Sequence, residues 1–226
     1  MLRNENLFKQ FIKKMIPELE RDEVIIGLLA ARKKYAPEIS RSAEIVDKII
    51  VKRKEDVFRK FRRFMRVEKG DYIDFKTGNP IPVDAMVCYI DLNPRSSMRA
   101  LNLFQKEMND WVIEAALSEF DLSHFRKLDT KVFSALARRV SRRMYFLVDI
   151  DDQNPERYLD MLPKPLWITQ TRGGFHLIYP SHREIKAEIF NAVSEHDLEV
   201  EVQRDTQTPV PGSLQGGVEV KRFEYG

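Results

Sequence analysis

The residues best suited to chemistry lie in the last third of the chain. Met144 to Asp152 reads MYFLVDIDD, an apolar run that ends in acids. Side chains on a strand alternate, so Asp149 and Asp151 share one side while Val148, Ile150 and Asp152 take the other. Two carboxylates on one face repel each other, and a hard divalent cation such as Mg²⁺ or Mn²⁺ between them would relieve the repulsion. The plainer alternative is an Asp-rich turn after a core strand, because Asp152, Asn154 and Pro155 are ordinary turn formers. Downstream, Leu166–Thr171 (LWITQT), Arg172-Gly173-Gly174 and Phe175–Tyr179 (FHLIY) form a β-hairpin pattern. His176 opens its second strand directly after glycines that let a ligand approach the backbone, and Arg172 offers a fork for phosphate oxygens. Phe175, Leu177 and Tyr179 should face one side, His176 and Ile178 the other. A third segment, Glu199 to Gly217 (EVEVQRDTQTPVPGSLQGG), brings Glu199, Glu201 and Asp205 as further carboxylates and Ser213 and Gln215 as polar contacts.

The elements that must position these groups follow from periodicity. Leu7, Phe8, Phe11, Ile12, Met15 and Ile16 fall at helical spacing, with Asn4 or Asn6 as N-cap and Pro17 near the end. Val24 to Lys34 reads as a second helix that breaks at Pro37. Between Lys48 and Lys69 there are ten Lys or Arg against three acids. Phe58, Phe61, Phe64 and Met65 give that segment an apolar stripe flanked by Arg59, Lys60, Arg62, Arg63 and Arg66. Such a helix either exposes a solvated basic face or tracks a phosphate backbone. Ala85 to Leu92 predicts a strand. A long helix capped by Ser96 or Ser97 follows, running through Leu101, Phe104, Met108, Trp111, Val112 and Ala115. Arg95 beside that N-terminus is a candidate anion contact. Thr130 to Arg143 predicts another helix, with Arg138, Arg139, Arg142 and Arg143 off its apolar side.

At 226 residues, 43% hydrophobic and 32% charged, the chain is long and apolar enough for a packed core, and a disordered or low-complexity scaffold is excluded. Cys88 is the single cysteine. A disulfide framework and a Cys-rich structural zinc site are thereby excluded, and a reducing compartment fits. No secretory signal or membrane span is expected, and the protein reads as cytoplasmic. The net charge of +3 demands no polyanionic partner by itself, but it averages over a basic helix and an acidic strand exit.

Taken in order, the three chemical segments resemble the archaeo-eukaryotic primase family, which includes primase-polymerases. Asp149-Ile150-Asp151 is similar to its paired-aspartate motif, Thr171 to His176 to its small-residue-to-histidine motif, and Asp205 to Gln215 to its third motif. The likeness covers Tyr145 to about Gly217, and phage or mobile-element members are included. It implies an α+β primase fold, with an RRM-like antiparallel sheet, a mixed α/β N-terminal unit and flanking helices. The whole chain would be one domain, with 1–83 mainly helical and basic and 84–226 the catalytic core. The implied activity is that of a DNA primase and DNA-directed polymerase, a metal-dependent nucleotidyltransferase. Asp149, Asp151 and Asp205 would hold two Mg²⁺ or Mn²⁺ ions, with Glu201 competing for the third place. Arg172, Gly173, His176 and Ser213 would bind the NTP or dNTP. Arg59, Lys60, Arg62, Arg63 and Arg66 would contact the DNA template or primer. A replicative helicase or another replisome protein is a further partner class, no membrane is involved, and a viral chain would work in the host cytoplasm. Two alternatives stand beside this: a catalytically silent nucleic-acid-binding module of a replication or defence complex, and a metal-dependent nuclease.

Overall fold

A computed structural model of the protein describes residues 3–117, 122–203 and 206–225. The chain opens with α1 (Glu5–Met15), whose N-cap Asn4 accepts a hydrogen bond from the Leu7 N–H at 3.0 Å. Next come β1 (Glu23–Arg32), β2 (Ala43–Val51), α2 (Asp56–Met65) and β3 (Met86–Asp91). After these, β4 (Arg95–Ser96) leads into α3 (Ser97–Leu117), which starts with the Ser96 hydroxyl accepting from the Arg99 N–H, and α4 (Leu128–Ala137) follows. Then come β5 (Tyr145–Ile150), the short α5 (Glu156–Leu159), β6 (Trp167–Gln170), β7 (Phe175–Pro180), α6 (Arg183–His196) and β8 (Glu201–Gln203). The chain closes through β9 (Gln207–Pro209), β10 (Leu214–Gln215), β11 (Val218–Glu219) and β12 (Lys221–Arg222).

The result is an α+β fold with two antiparallel sheets. The larger has the order β11-β10-β3-β1-β2, with β4 also on β1 and β9 also on β3. The smaller has the order β12-β6-β7-β5-β8. Its β5-α5-β6-β7-α6-β8 connectivity, with β5 and β7 central, is a split β-α-β arrangement. One core joins the sheets: Phe8, Phe11 and Met15 of α1 meet Ile25 and Leu29 of β1, Phe61 and Phe64 of α2, and Leu147, Trp167 and Ile178 of the smaller sheet. The far face of the smaller sheet packs Val148, Ile150, Phe175, Leu177 and Tyr179 against Leu159, Ile189 and Ala192. The far face of the larger sheet packs Val24, Ile26 and Leu28 against α3 and α4.

The structure corrects three readings of the N-terminal part. Val24 to Lys34 is not a helix but most of β1, hydrogen-bonded between β2 and β3. A central strand buried on both faces presents a continuous apolar run, and VIIGLLAA fits either period. Gly27 belongs to that strand because Phe61 packs over it: an added Cβ would lie 2.4 Å from the ring. Residues 1–83 are therefore not mainly helical, since β1 and β2 are two of the longest strands in the larger sheet. Nor is Lys48–Lys69 one helix: β2 ends at Val51, and only Asp56–Met65 is helical. Likewise the helix expected over Thr130–Arg143 runs from Leu128 to Ala137, leaving all four arginines beyond its end.

Candidate functional site

A cleft of about 530 Å³ opens between the two sheets. The smaller sheet contributes Asp149, Asp151, Gly173, His176, Glu201 and Gln203, and the larger contributes Arg32, Tyr89, Gln207 and Gln215, with Lys34 just past β1. Strand alternation does the sorting: Val148 and Ile150 point into the core under α5 and α6, so Asp149 and Asp151 emerge in the cleft. On β7 the same rule buries Phe175, Leu177 and Tyr179 and leaves His176 facing Asp149.

Asp149 lies opposite His176 on one neighbouring strand and Glu201 on the other. Burial, then the charges of Asp151 and Glu201, push its carboxyl up to about 6, against a smaller pull downward from Lys34. The Gln203 side-chain amide donates to Asp149 Oδ2 at 3.3 Å. His176 Nε2 approaches Asp149 Oδ1 at 3.4 Å, but burial holds the imidazole at about 4. At neutral pH this is a neutral ring beside a carboxylate, not an ion pair. The Thr208 hydroxyl lies 3.3 Å from Nδ1 and fixes the ring from its other side.

The glycine turn is shaped by both of its residues. The Thr171 hydroxyl oxygen accepts from the N–H groups of Gly173 and Gly174 at 3.2 and 3.1 Å. A Cβ on Gly174 would fall 1.8 Å from the Ile150 carbonyl oxygen, so only glycine lets the hairpin sit against the exit of β5. At Gly173 the nearest such neighbour is Asp151 Oδ1 at 3.6 Å, and the turn backbone faces the carboxylates.

Not every anticipated residue joins the cleft lining. Arg172 Nη1 donates to the Gly216 carbonyl at 2.6 Å, and its guanidinium stacks on Tyr35 at 4.9 Å, tying the hairpin to the 215–217 turn. Ser213 is buried and donates to the Val210 carbonyl at 2.7 Å. Asp205 lies outside the described residues, and the competing Glu201 lines the cleft. On α2, Arg59 pairs with Asp56 at 2.9 Å and Arg63 with Asp47 at 2.5 Å, while Lys60 donates to the Ile50 carbonyl at 2.6 Å. These groups cover the outer edge of β2. Arg62 and Arg66 are exposed, and no ion pair holds either among the described residues. Arg95 is not an open anion contact: it is buried, bound to Asp91 and to the Ala137 carbonyl.

Comparison of the chain with protein-family models, curated proteins and solved structures gave no match.

The cleft also holds groups that periodicity did not single out. Arg32 and Lys34 place positive charge on the wall facing the carboxylates, and Arg32 Nη1 donates to the Tyr89 hydroxyl at 3.3 Å. Arg32 Nε, the Tyr35 hydroxyl and, across from His176 on β6, Thr169 Oγ1 are buried without a hydrogen-bond partner among the described residues. Buried polar atoms are normally satisfied, so the unserved Nε of Arg32, which lines the cleft, suits a polar ligand there. Reading 24–34 as a strand would have exposed the signal, because alternation then puts Arg32 and Lys34 on one face. Among the described residues, no group of three or more His, Cys, Asp or Glu closes around a metal position. The oxygen-only pair Asp149/Asp151, with Glu201 opposite, still matches what Mg²⁺ uses, namely one or two carboxylates completed by water and substrate phosphates.

Proposed function

We propose that the cleft is the nucleotidyl-transfer site of a DNA primase-polymerase of the archaeo-eukaryotic type, extending a 3′-hydroxyl on a DNA template from an NTP or dNTP. The observation that carries the reading is the convergence of Asp149, Asp151 and His176, from two motifs more than twenty residues apart, with Asp149 pushed up to about 6. A carboxyl kept costly in this way gains most when a cation arrives. The split β-α-β sheet fits the RRM-like sheet of that family, and the larger sheet fits its mixed N-terminal unit.

Asp149 and Asp151, with Glu201 or Asp205 as the third acid, are the residues that would hold Mg²⁺ or Mn²⁺. When bound, such ions activate the attacking hydroxyl and offset charge on the pyrophosphate. The chain's own groups do the positioning. Neutral His176, held through Thr208, offers a hydrogen bond to the nucleotide without repelling a cation. Arg32 and Lys34 supply positive charge for phosphate oxygens on the opposite wall. Arg172 keeps the Gly173 backbone in place from behind, and Gly173 leaves room beside Asp151. Arg62 of α2 and Arg66 at its C-cap, exposed and held by no ion pair among the described residues, are the ones available to a DNA backbone.

Primer extension and de novo dinucleotide synthesis with Mg²⁺ or Mn²⁺ test the reading. Product is expected from the native chain and none from Asp149→Ala/Asp151→Ala. Absence of product, or product that survives the double substitution, overturns it. A second reading, a module that binds nucleotide or nucleic acid without catalysis, draws on the third acid, for which Glu201 competes with Asp205. Salt-dependent DNA binding without incorporation favours that module. Cleavage of labelled DNA that is lost in Asp149→Ala favours the nuclease.

A further inference from the structure

A second cavity, of about 410 Å³, is built at the β6/β12 edge of the smaller sheet and shares no lining residue with the cleft. Its apolar lining wraps the edge of β6, with Trp167 on the inter-sheet side and Leu159, Leu162 and Ile168 on the far side, all buried, and with Phe223 and Tyr225 adding aromatic surface. The rim is cationic, with one cation from each of three distant segments: Lys14 of α1, Lys164 of the loop before β6, and Arg222 of β12. Glu224 is the one acid in the lining, and it is already paired with Arg222 at 3.1 Å. Lys14 and Lys164 are exposed and have no carboxylate within ion-pair distance among the described residues. Trp167 anchors the whole arrangement. Its ring meets Phe11 edge-on at 5.1 Å and lies under the Arg222 guanidinium at 4.7 Å and the Lys14 ammonium at 6.0 Å. Its indole N–H is buried with no acceptor among the described residues.

We infer that this cavity is a binding site for a small organic anion with a flat apolar body, such as an aryl or heteroaryl phosphate. The aromatic and aliphatic lining takes the body, and the Lys14–Lys164–Arg222 rim takes the charge. Neither half suffices: an inorganic anion would leave the apolar lining uncovered, and a neutral arene would leave two ammonium groups unused. The volume matches a ligand of one or two fused rings with one anionic group. The inference is independent of the nucleotidyl-transfer reading, because it uses no residue of the cleft.

The test follows the two tryptophan indole N–H resonances of the full chain during titration with 1-naphthyl phosphate, in EDTA. Trp111→Phe assigns the peaks. The Trp167 resonance is expected to move and saturate while that of Trp111 stays still. Inorganic phosphate and 1-naphthol should each bind at least about tenfold more weakly. The surface double variant Lys14→Glu/Lys164→Glu should weaken 1-naphthyl phosphate by at least about tenfold at unchanged melting temperature. Leu166→Trp, which fills the mouth from a half-exposed position, should do the same, and Asp149→Asn should leave binding as it is. A Trp167 resonance that does not move, an affinity unchanged by the charge reversal, or equal binding of 1-naphthol would overturn the proposal.

Discussion

Carboxylates in this protein live in two kinds of surroundings. Asp91 and Glu23 are buried in the larger sheet and fully served. Asp91 accepts from Arg95 Nε at 2.8 Å, the Thr206 hydroxyl at 2.7 Å and the Asn93 N–H at 3.1 Å. Glu23 accepts from Arg142 at 2.6 and 2.8 Å and from the Glu20 N–H at 3.0 Å. Burial would raise the Glu23 carboxyl, but the hydrogen bonds of Arg142, Glu20 and Ser141 outweigh it and bring it down to about 2. Asp149, in the smaller sheet, has one side-chain amide at 3.3 Å, a neutral imidazole and two like-charged neighbours, and it moves the other way, to about 6. Structural acids are therefore given donors before any ligand arrives, whereas the cleft acids are left short of them. That shortage costs stability, and under the proposed function a bound cation would relieve it.

Substitutions can break the comparison at either end. The largest effect is expected for Asp149→Ala/Asp151→Ala, a loss of nucleotidyl transfer of about 10³-fold or more in primer extension with the melting temperature held or raised. Next, Asp91→Ala should cost about 3–5 kcal/mol in urea unfolding, because it strands a buried Arg95. Glu23 contributes stability only while ionised in the fold. About 3 kcal/mol should be present above pH 4.5 and lost as the pH falls from there through about 2, and Glu23→Gln should flatten that limb of the stability profile. Asp149 has the opposite sign. Its folded carboxyl titrates above its ordinary value, so the favourable balance present at low pH is lost as the pH rises from about 4 through about 6. Asp149→Asn should then stabilise the fold by about 1–2 kcal/mol at pH 7.5 and by nothing at pH 3.5, measured by thermal unfolding. A destabilised Asp149→Asn protein would mean that the cleft acid is structural after all, and the contrast with Glu23 would collapse.

Local pattern alone revealed much of the site. Asp149, Asp151, Gly173 and His176 were legible because a strand's alternation and a glycine turn are short-range properties, and the structure brings all four to one cleft. The first helix was legible for the same reason, through its Asn4 cap and apolar stripe. The central strand was not. An unbroken apolar run has no period of its own, and only pairing with β2 and β3 makes 23–32 extended.

The basic helix shows the same division between composition and placement. Counting charges marked Arg59, Lys60 and Arg63 as candidate phosphate contacts; in the fold Arg59 pairs with Asp56 one helical turn away, while tertiary contacts bring Lys60 to the Ile50 carbonyl and Arg63 to Asp47. Arg172 and Ser213 were marked by type, yet packing turned their polar groups toward the 215–217 turn and the Val210 carbonyl.

What the sequence determined by itself was therefore the identity of the candidate side chains and their faces on β5 and β7. Only the tertiary structure decided which charges stay unpaired and that Arg32 and Lys34 stand across from the acids. The opposition joins chain segments more than a hundred residues apart, and no local periodicity encodes that separation.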